Sequence, residues 1–288
     1  MINVLVTAKD GQLGQCFQSL VVKHPNIQFV FKSSSDLDIT NKAKVEDVFS
    51  AQSFDYCINC AAYTAVDKAE EAIELADKVN HLGAQNIAEA CKKFEVILIH
   101  ISTDFVFDGE GTAPYLEDDI TKPLGVYGKT KLAGEQVIAK TLQRYFIIRT
   151  SWLYSEYGHN FLKTMLRLAN ERDEIGVVGD QIGSPTYAMD LADATLQIIA
   201  SRNTSYGIYH YSNEGVVSWY DFAKEIFRLS DSSIKLNKIE TKDYPTPAVR
   251  PKYSIMNTEK ISQLLDLKIP NWKSSLAIAM VNCIKSES

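Results

Sequence analysis

Tyr127 and Lys131 stand four residues apart in the run Tyr127-Gly128-Lys129-Thr130-Lys131. Residues at that spacing share one face of a helix, so in a helical run both side chains enter one site. A lysine ammonium beside a phenol stabilises the tyrosinate and draws the phenol pKa down from about 10. The pair is therefore a candidate proton donor to an oxygen that develops alkoxide character. Lys129, two residues from Tyr127, points elsewhere.

Two more stretches bear on that chemistry. Thr7-Ala8-Lys9-Asp10-Gly11-Gln12-Leu13-Gly14 follows a short apolar run. Glycines there let backbone amides approach a pyrophosphate at a helix N-terminus. The spacing G-x-x-G-x-x-G would begin at Ala8, and only Gly11 and Gly14 remain, so a tight turn without a ligand is the bland alternative. Ser102-Thr103-Asp104 opens at the C-terminal end of another apolar run, where ligands of open α/β sheets collect. The Thr103 hydroxyl could hydrogen-bond a substrate carbonyl. The alternative is a cap or turn residue. Each signal is weak alone, but they occur in the right order and at the right places.

The elements that must position them alternate. Strands are expected at Ile2–Thr7, Ile27–Phe31, Tyr56–Cys60, Val96–Ile101 and Tyr145–Arg149. Helices are expected to about Val22, over Lys44–Gln52, over Ala69–Phe94 as one long stretch, and through Leu132–Thr141. Continuous apolar strands between helices imply an α/β fold, a doubly wound parallel sheet of Rossmann-like type covered on both faces. The second half is less regular, with helices at Asn160–Asn170, Met189–Ile199 and Trp219–Leu229, strands at Ile175–Val178 and Gly207–Tyr211, and a proline-containing stretch at Asp243–Pro251. The expected division is a dinucleotide-binding domain at 1–154, rejoined by about 187–214, and a smaller α/β substrate-binding domain within 155–288.

Composition narrows the function classes. The 288 residues are 45% hydrophobic and 23% charged, with a net charge of −6. That balance suits a globular protein with a sizeable core and disfavours a nucleic-acid partner. No apolar stretch approaches the ~20 residues of a membrane span. The first apolar run is too short for a secretory signal, so the cytoplasm is the expected location. Cys57 and Cys60 have metal-like spacing but lie in an apolar strand with no second pair, and read as core thiols.

The sequence resembles the extended short-chain dehydrogenases and, more closely, the dTDP-4-dehydrorhamnose reductase family. The resemblance runs nearly the full length. It is carried by Gly11-Gln12-Leu13-Gly14, by Thr64-Ala65-Val66-Asp67-Lys68-Ala69-Glu70, by Ser102-Thr103-Asp104-Phe105-Val106-Phe107-Asp108-Gly109, by Tyr127–Glu135, and by Tyr244-Pro245-Thr246-Pro247-Ala248-Val249-Arg250-Pro251. It implies reduction of the 4-keto group of a sugar-nucleotide substrate with NADPH or NADH. Tyr127 would donate the proton, Lys131 would hold the nicotinamide ribose and tune Tyr127, and Thr103 would orient the keto oxygen. Gly11, Gln12 and Leu13 would contact the pyrophosphate, while Gly14, Asp38, Ile39, Ala61, Ala62 and Thr64 would belong to the rest of the cofactor site. Asp104 and Trp152 would contact the sugar nucleotide.

The chain departs from the family in two ways. Ala8 replaces a glycine, and its methyl narrows the turn. Cys16 and Met189 stand where some members carry metal-binding glutamates, so no metal is expected and the oligomeric state is left open between monomer and homodimer. The second strand runs into Lys32-Ser33-Ser34-Ser35 before the first acid, Asp36. A cation and hydroxyls suit a 2′-phosphate, so Lys32 is a candidate NADPH contact. In the alternative, Asp36 or Asp38 turns back to the ribose. Competing functional readings are another sugar-nucleotide reductase or epimerase, and a non-catalytic regulatory subunit of the same fold.

Overall fold

In the computed structural model, residues 1–287 are described, with side chains through 284. Along the chain, β1 (Ile2–Thr7) leads into α1 (Gln12–Leu20), and β2 (Ile27–Lys32) into α2 (Lys42–Ala51). β3 (Tyr56–Asn59) is followed by α3 (Val66–Ala69), α4 (Ile73–Asp77) and α5 (Ala84–Lys93), and β4 (Ile97–Thr103) by α6 (Val126–Thr141). β5 (Tyr145–Thr150), β6 (Leu153–Tyr154), α7 (Phe161–Glu171), β7 (Glu174–Val178), β8 (Ile182–Gly183), β9 (Thr186–Tyr187), α8 (Ala188–Ala200) and β10 (Gly207–His210) come next. β11 (Val217–Ser218), α9 (Trp219–Leu229), β12 (Lys235–Ile239), α10 (Glu259–Leu265) and α11 (Trp272–Glu287) complete the chain.

Six strands form one sheet in the order β10-β5-β4-β3-β1-β2, every pair parallel. Alternate residues of a strand face opposite sides, and β1 shows the consequence. Val4 and Val6 pack with α1 and α8 on one face. Leu5 packs with α2 and α5 on the other. Burying each such side chain contributes roughly 1.5–3 kcal/mol, and this two-sided burial is why the strands read as continuous apolar runs. The chain leaves β1 for β2 on one side and reaches β3 on the other, so a crevice opens at the C-terminal ends of β1 and β3.

The last sheet strand, β10, and the covering helix α8 come from the second half of the sequence. The remainder builds a third core from Tyr154, Leu162, Met165, Phe222, Ile226, Trp272 and Leu276. No helix among the described residues is long and apolar enough to cross a membrane.

The single helix expected over Ala69–Phe94 is broken. A turn at Glu70–Ala72 separates α3 from α4, and a π-helical turn at Lys78–Gly83 precedes α5. Asn80, buried in that turn, explains the irregularity. Its side chain accepts from the Tyr63 N–H at 2.8 Å and donates to the Tyr63 carbonyl and the Thr130 hydroxyl, both at 3.1 Å. A long-range polar demand overrides the helical pattern there, and π-turns often lie at functional sites for this reason.

Candidate active site

Each strand edge delivers one part of the crevice. After β1, the chain turns through Ala8–Gly11, closed by the Gly11 N–H donating to the Ala8 carbonyl at 3.0 Å. Ala8 adopts φ +54°, a left-handed conformation that favours glycine, so the replacement noted in the sequence carries backbone strain as well as a methyl group. Gly14 is required by close packing, because a Cβ there would lie 2.3 Å from the Ala8 carbonyl oxygen. Gly11 caps α1 without a side-chain hydrogen bond. The first amides of α1 are thereby left to a ligand, and they fit an anionic pyrophosphate.

Tyr127 lies in the first turn of α6, whose leading amide, Val126 N–H, donates to the Glu70 carboxylate at 2.8 Å. A carboxylate suits a helix N-terminus, and this one pins the turn that carries Tyr127. Gly128 lets α6 press on the loop after β4, since a Cβ there would meet the Phe105 carbonyl oxygen at 2.2 Å. Phe105 meets the Tyr127 ring edge-on with centroids 5.5 Å apart. Thr103 takes the capping role that was the alternative reading, and its place leaves it on the cleft. Its oxygen caps the short 3₁₀ turn Asp104–Val106 by accepting from Phe105 N–H at 3.2 Å, and it also lines the cleft.

The cleft has a volume of ≈ 470 Å³, and its walls gather Gly11, Gln12, Leu13, Gly14, Ala62 and Thr64 from the β1 and β3 ends. Thr103, Asp104, Tyr127, Lys131 and Trp152 line it as well. Ala61, Asp38, Ile39 and Lys32 do not line it. Ala61 N–H is tied to Thr7 and Asn59, Asp38 caps Thr40, and Ile39 is buried against α5. Lys32 sits at the end of β2. Nearby, Asp36 turns back to the β1 turn and pairs with Lys9 Nζ at 3.1 Å. The Ser33 amide and hydroxyl, with Lys9, hold the Asp36 carboxyl well below the usual range.

The electrostatics differ from the expectation for the Tyr–Lys pair. Burial pushes the Tyr127 phenol up to about 12, against a lowering hydrogen bond from Thr103 and with Asp104 adding to the rise. Desolvation pushes Lys131 down to about 8, opposed by Glu135 and Cys60. Lys131 Nζ is occupied by the Ile101 carbonyl at 2.7 Å and His100 Nε2 at 3.2 Å. In this state the ammonium does not lower Tyr127. Asp104, fully buried, is pushed up to about 6.

Several residues entered the site without being singled out from sequence. Arg250 lines the cleft and reaches Asp67 with Nη1 at 3.0 Å and Nη2 at 2.6 Å. Trp219 stacks on Trp152. Arg250, Asp67 and Glu70 lie in the family runs quoted above, so position within a motif was the available signal. For Trp219 there was none.

This sheet, with the Tyr–Lys step of α6 beside its crevice, defines a Rossmann-like extended short-chain dehydrogenase/reductase. More narrowly, the chain belongs to the RmlD substrate binding domain family, which it matches over residues 2–284. It is 42% identical to the dTDP-4-dehydrorhamnose reductase of Aggregatibacter actinomycetemcomitans over 286 residues, 96% of this chain and 97% of the relative. Among solved structures, dTDP-4-dehydrorhamnose reductase from Bacillus anthracis in complex with NADP superposes with a TM-score of 0.94 at 40% identity, covering 98% of this chain and 100% of that one. The dTDP-4-dehydrorhamnose reductase ortholog of Clostridium acetobutylicum gives 0.93 at 41% identity, over 99% and 100%.

Proposed function

We propose that this chain reduces the 4-keto group of dTDP-4-dehydro-L-rhamnose to dTDP-L-rhamnose, with a nicotinamide cofactor bound in the cleft between the β1 turn and α6. The nicotinamide supplies the hydride to the keto carbon. Tyr127 delivers its phenolic proton to the keto oxygen, which becomes the hydroxyl, and regains a proton from solvent. Thr103, which lines the same cleft, orients that oxygen. Lys131 holds the ribose of the cofactor, and Asp104 with the Trp152 wall positions the sugar. Residues 1–154, with 187–214, form the dinucleotide-binding part, and the rest of 155–288 the substrate-binding part.

The observation that carries this reading is the convergence of Thr103, Tyr127 and Lys131 on one cleft with the uncapped start of α1. A phenol kept protonated by burial is ready to donate when charge develops on the neighbouring oxygen. The test is incubation with dTDP-6-deoxy-L-lyxo-4-hexulose and NADPH. Loss of one NADPH per product, with dTDP-L-rhamnose identified by NMR, is expected. An epimerase would return the hydride and consume none, and a regulatory subunit would bind cofactor without turnover.

A further inference from the structure

Behind the cleft, Lys131 joins a chain of buried polar groups that ends at β1. His100 Nε2 lies 3.2 Å from Lys131 Nζ, and His100 Nδ1 lies 3.2 Å from Asn59 Nδ2. The Asn59 Oδ1 atom accepts from the Thr7 hydroxyl at 2.7 Å and from Ala61 N–H at 3.2 Å. The Thr7 oxygen in turn accepts from Cys60 N–H at 3.0 Å and Ala61 N–H at 3.1 Å. Thr7, Asn59, His100 and Lys131 are each no more than 2% exposed.

Donor accounting gives this chain a direction. A threonine hydroxyl has one proton, and with two backbone N–H groups donating into its oxygen that proton goes to Asn59. The amide oxygen of Asn59 therefore faces Thr7 and its NH₂ faces His100. His100 Nδ1 must accept, so the single proton of the neutral imidazole resides on Nε2 and points at Lys131. An ammonium offers only donors to that N–H. A free amine offers a lone pair and still donates to the Ile101 carbonyl.

The other groups facing Lys131 offset this only in part. His100 and Ile101 come from β4, Cys60 from the turn after β3, and Tyr127 and Glu135 from α6 itself. Burial holds His100 well below the usual imidazole range and pushes the Cys60 thiol and the Tyr127 phenol up, so all three stay uncharged. The Glu135 carboxylate is already engaged by Arg149, with Nη2 at 2.7 Å and Nε at 3.0 and 3.1 Å.

We propose that Thr7, Asn59 and His100 form a tautomer lock that makes the Lys131 ammonium give up its proton far more readily than an ordinary lysine in the cofactor-free protein, and that above its midpoint the amine takes a proton back from solvent when ribose hydroxyls enter the cleft. His100 is then a positioning residue acting through Lys131. The second half of this inference rests on the cofactor reading above. The first half concerns the protein alone.

The lock is tested on cofactor-free protein by ¹⁵N NMR of the histidine rings. His100 is expected as the Nε2–H tautomer, with no titration between about pH 5 and 8, the range of ordinary histidines. A proton on Nδ1 would overturn the lock whatever the cleft binds. With ¹³Cε-labelled lysine, assigned through Lys131→Met, Lys131 should titrate near pH 8, apart from the surface lysines. Titration together with those lysines would also overturn it. Asn59→Asp turns an acceptor toward Nδ1, so the imidazole proton should move there and the Lys131 midpoint should rise. An unmoved tautomer in a folded variant counts against the lock, and the wild-type ring spectrum decides the matter if the variant does not fold. The cofactor step is read from NADPH affinity by fluorescence titration. The Kd should be flat below pH 8 and weaken up to tenfold per pH unit above it, whereas a Kd independent of pH across that range would remove the proton uptake but leave the lock intact.

Discussion

Trp152 and Trp219 stack face to face across the cleft wall, with ring centroids 3.5 Å apart and planes 9° from parallel. Trp152 follows β5 in a left-handed conformation, φ +47°, and Gly183 gives its ring room, since a Cβ there would lie 2.5 Å from the indole. Phe161 braces Trp219 from behind, its centroid 4.6 Å away. This wall of the cleft is therefore an aromatic surface assembled from three separate segments.

Trp219→Ala should leave Trp152 unsupported and raise KM for the sugar nucleotide about tenfold, the equivalent of roughly 1.4 kcal/mol of binding. NADPH affinity should stay within about twofold of wild type, because the stack lies away from the β1 turn. Steady-state kinetics with each substrate varied in turn would check this, and an equal loss for both would contradict it.

Tyr127→Phe removes the proposed proton donor while keeping the ring against Phe105. Turnover should fall ~100- to 10,000-fold, as is usual for a lost general acid, with NADPH binding almost unchanged. Near-wild-type turnover would mean that the proton comes from elsewhere.

Ala8→Gly relieves a left-handed alanine, a conformation that costs about 1–2 kcal/mol for a residue with a Cβ. Part of the gain is offset by the greater freedom of glycine in the unfolded chain. A net stabilisation of about 0.5–1 kcal/mol and tighter NADPH binding are expected, measurable by denaturant unfolding and by fluorescence titration. Gly14→Ala, whose methyl would collide with the Ala8 carbonyl, should instead weaken cofactor binding severely.

The Asp67–Arg250 pair ties the Thr246–Arg250 loop to α3, with Ala248 N–H also donating to Asp67 at 3.3 Å. The Arg250 hydrogen bonds hold the Asp67 carboxyl below its usual value. Its unfolded pKa is about 3.9, so the stabilisation is present above that pH and is lost as pH falls through the lower folded value. Asp67→Asn should therefore destabilise the protein at pH 7 and have progressively less effect below about pH 4. Arg250→Lys, which cannot make the two-nitrogen contact, should raise KM for the sugar nucleotide more than it lowers Tm.

Lys9 and Lys32 meet at the edge of the β1 turn, where the Lys9 N–H donates to the Lys32 carbonyl at 3.0 Å, and the proposed function would put the adenosine 2′-phosphate of NADPH beside them. A phosphate there competes with Asp36 for Lys9 Nζ. NADPH should be used at least as well as NADH, and Lys9→Ala or Lys32→Ala should lower kcat/KM for NADPH while sparing NADH. A clear preference for NADH that neither substitution changes would assign the pocket to Asp36 and the ribose.

Local pattern was sufficient for what depends on local chemistry. Short apolar runs alternating with amphipathic stretches implied the parallel sheet, because both faces of each strand are buried and the pattern records that burial. The four-residue step from Tyr127 to Lys131 was legible because helix geometry fixes which residues share a face. The long helix expected over Ala69–Phe94 was not legible as the end of α3, then α4, a π-turn and α5, since the π-turn is set by Asn80 reaching Tyr63 and Thr130. Glu70 as the cap of α6, Arg250 against Asp67, and Trp219 on Trp152 are pairings across 56, 183 and 67 positions, and no periodicity encodes them. The charge states of Tyr127 and Lys131 depend on the same thing. Spacing put the two groups on one helix face, but the depth of burial and the partners at Ile101, His100 and Thr103, all supplied by folding, govern where their protons reside.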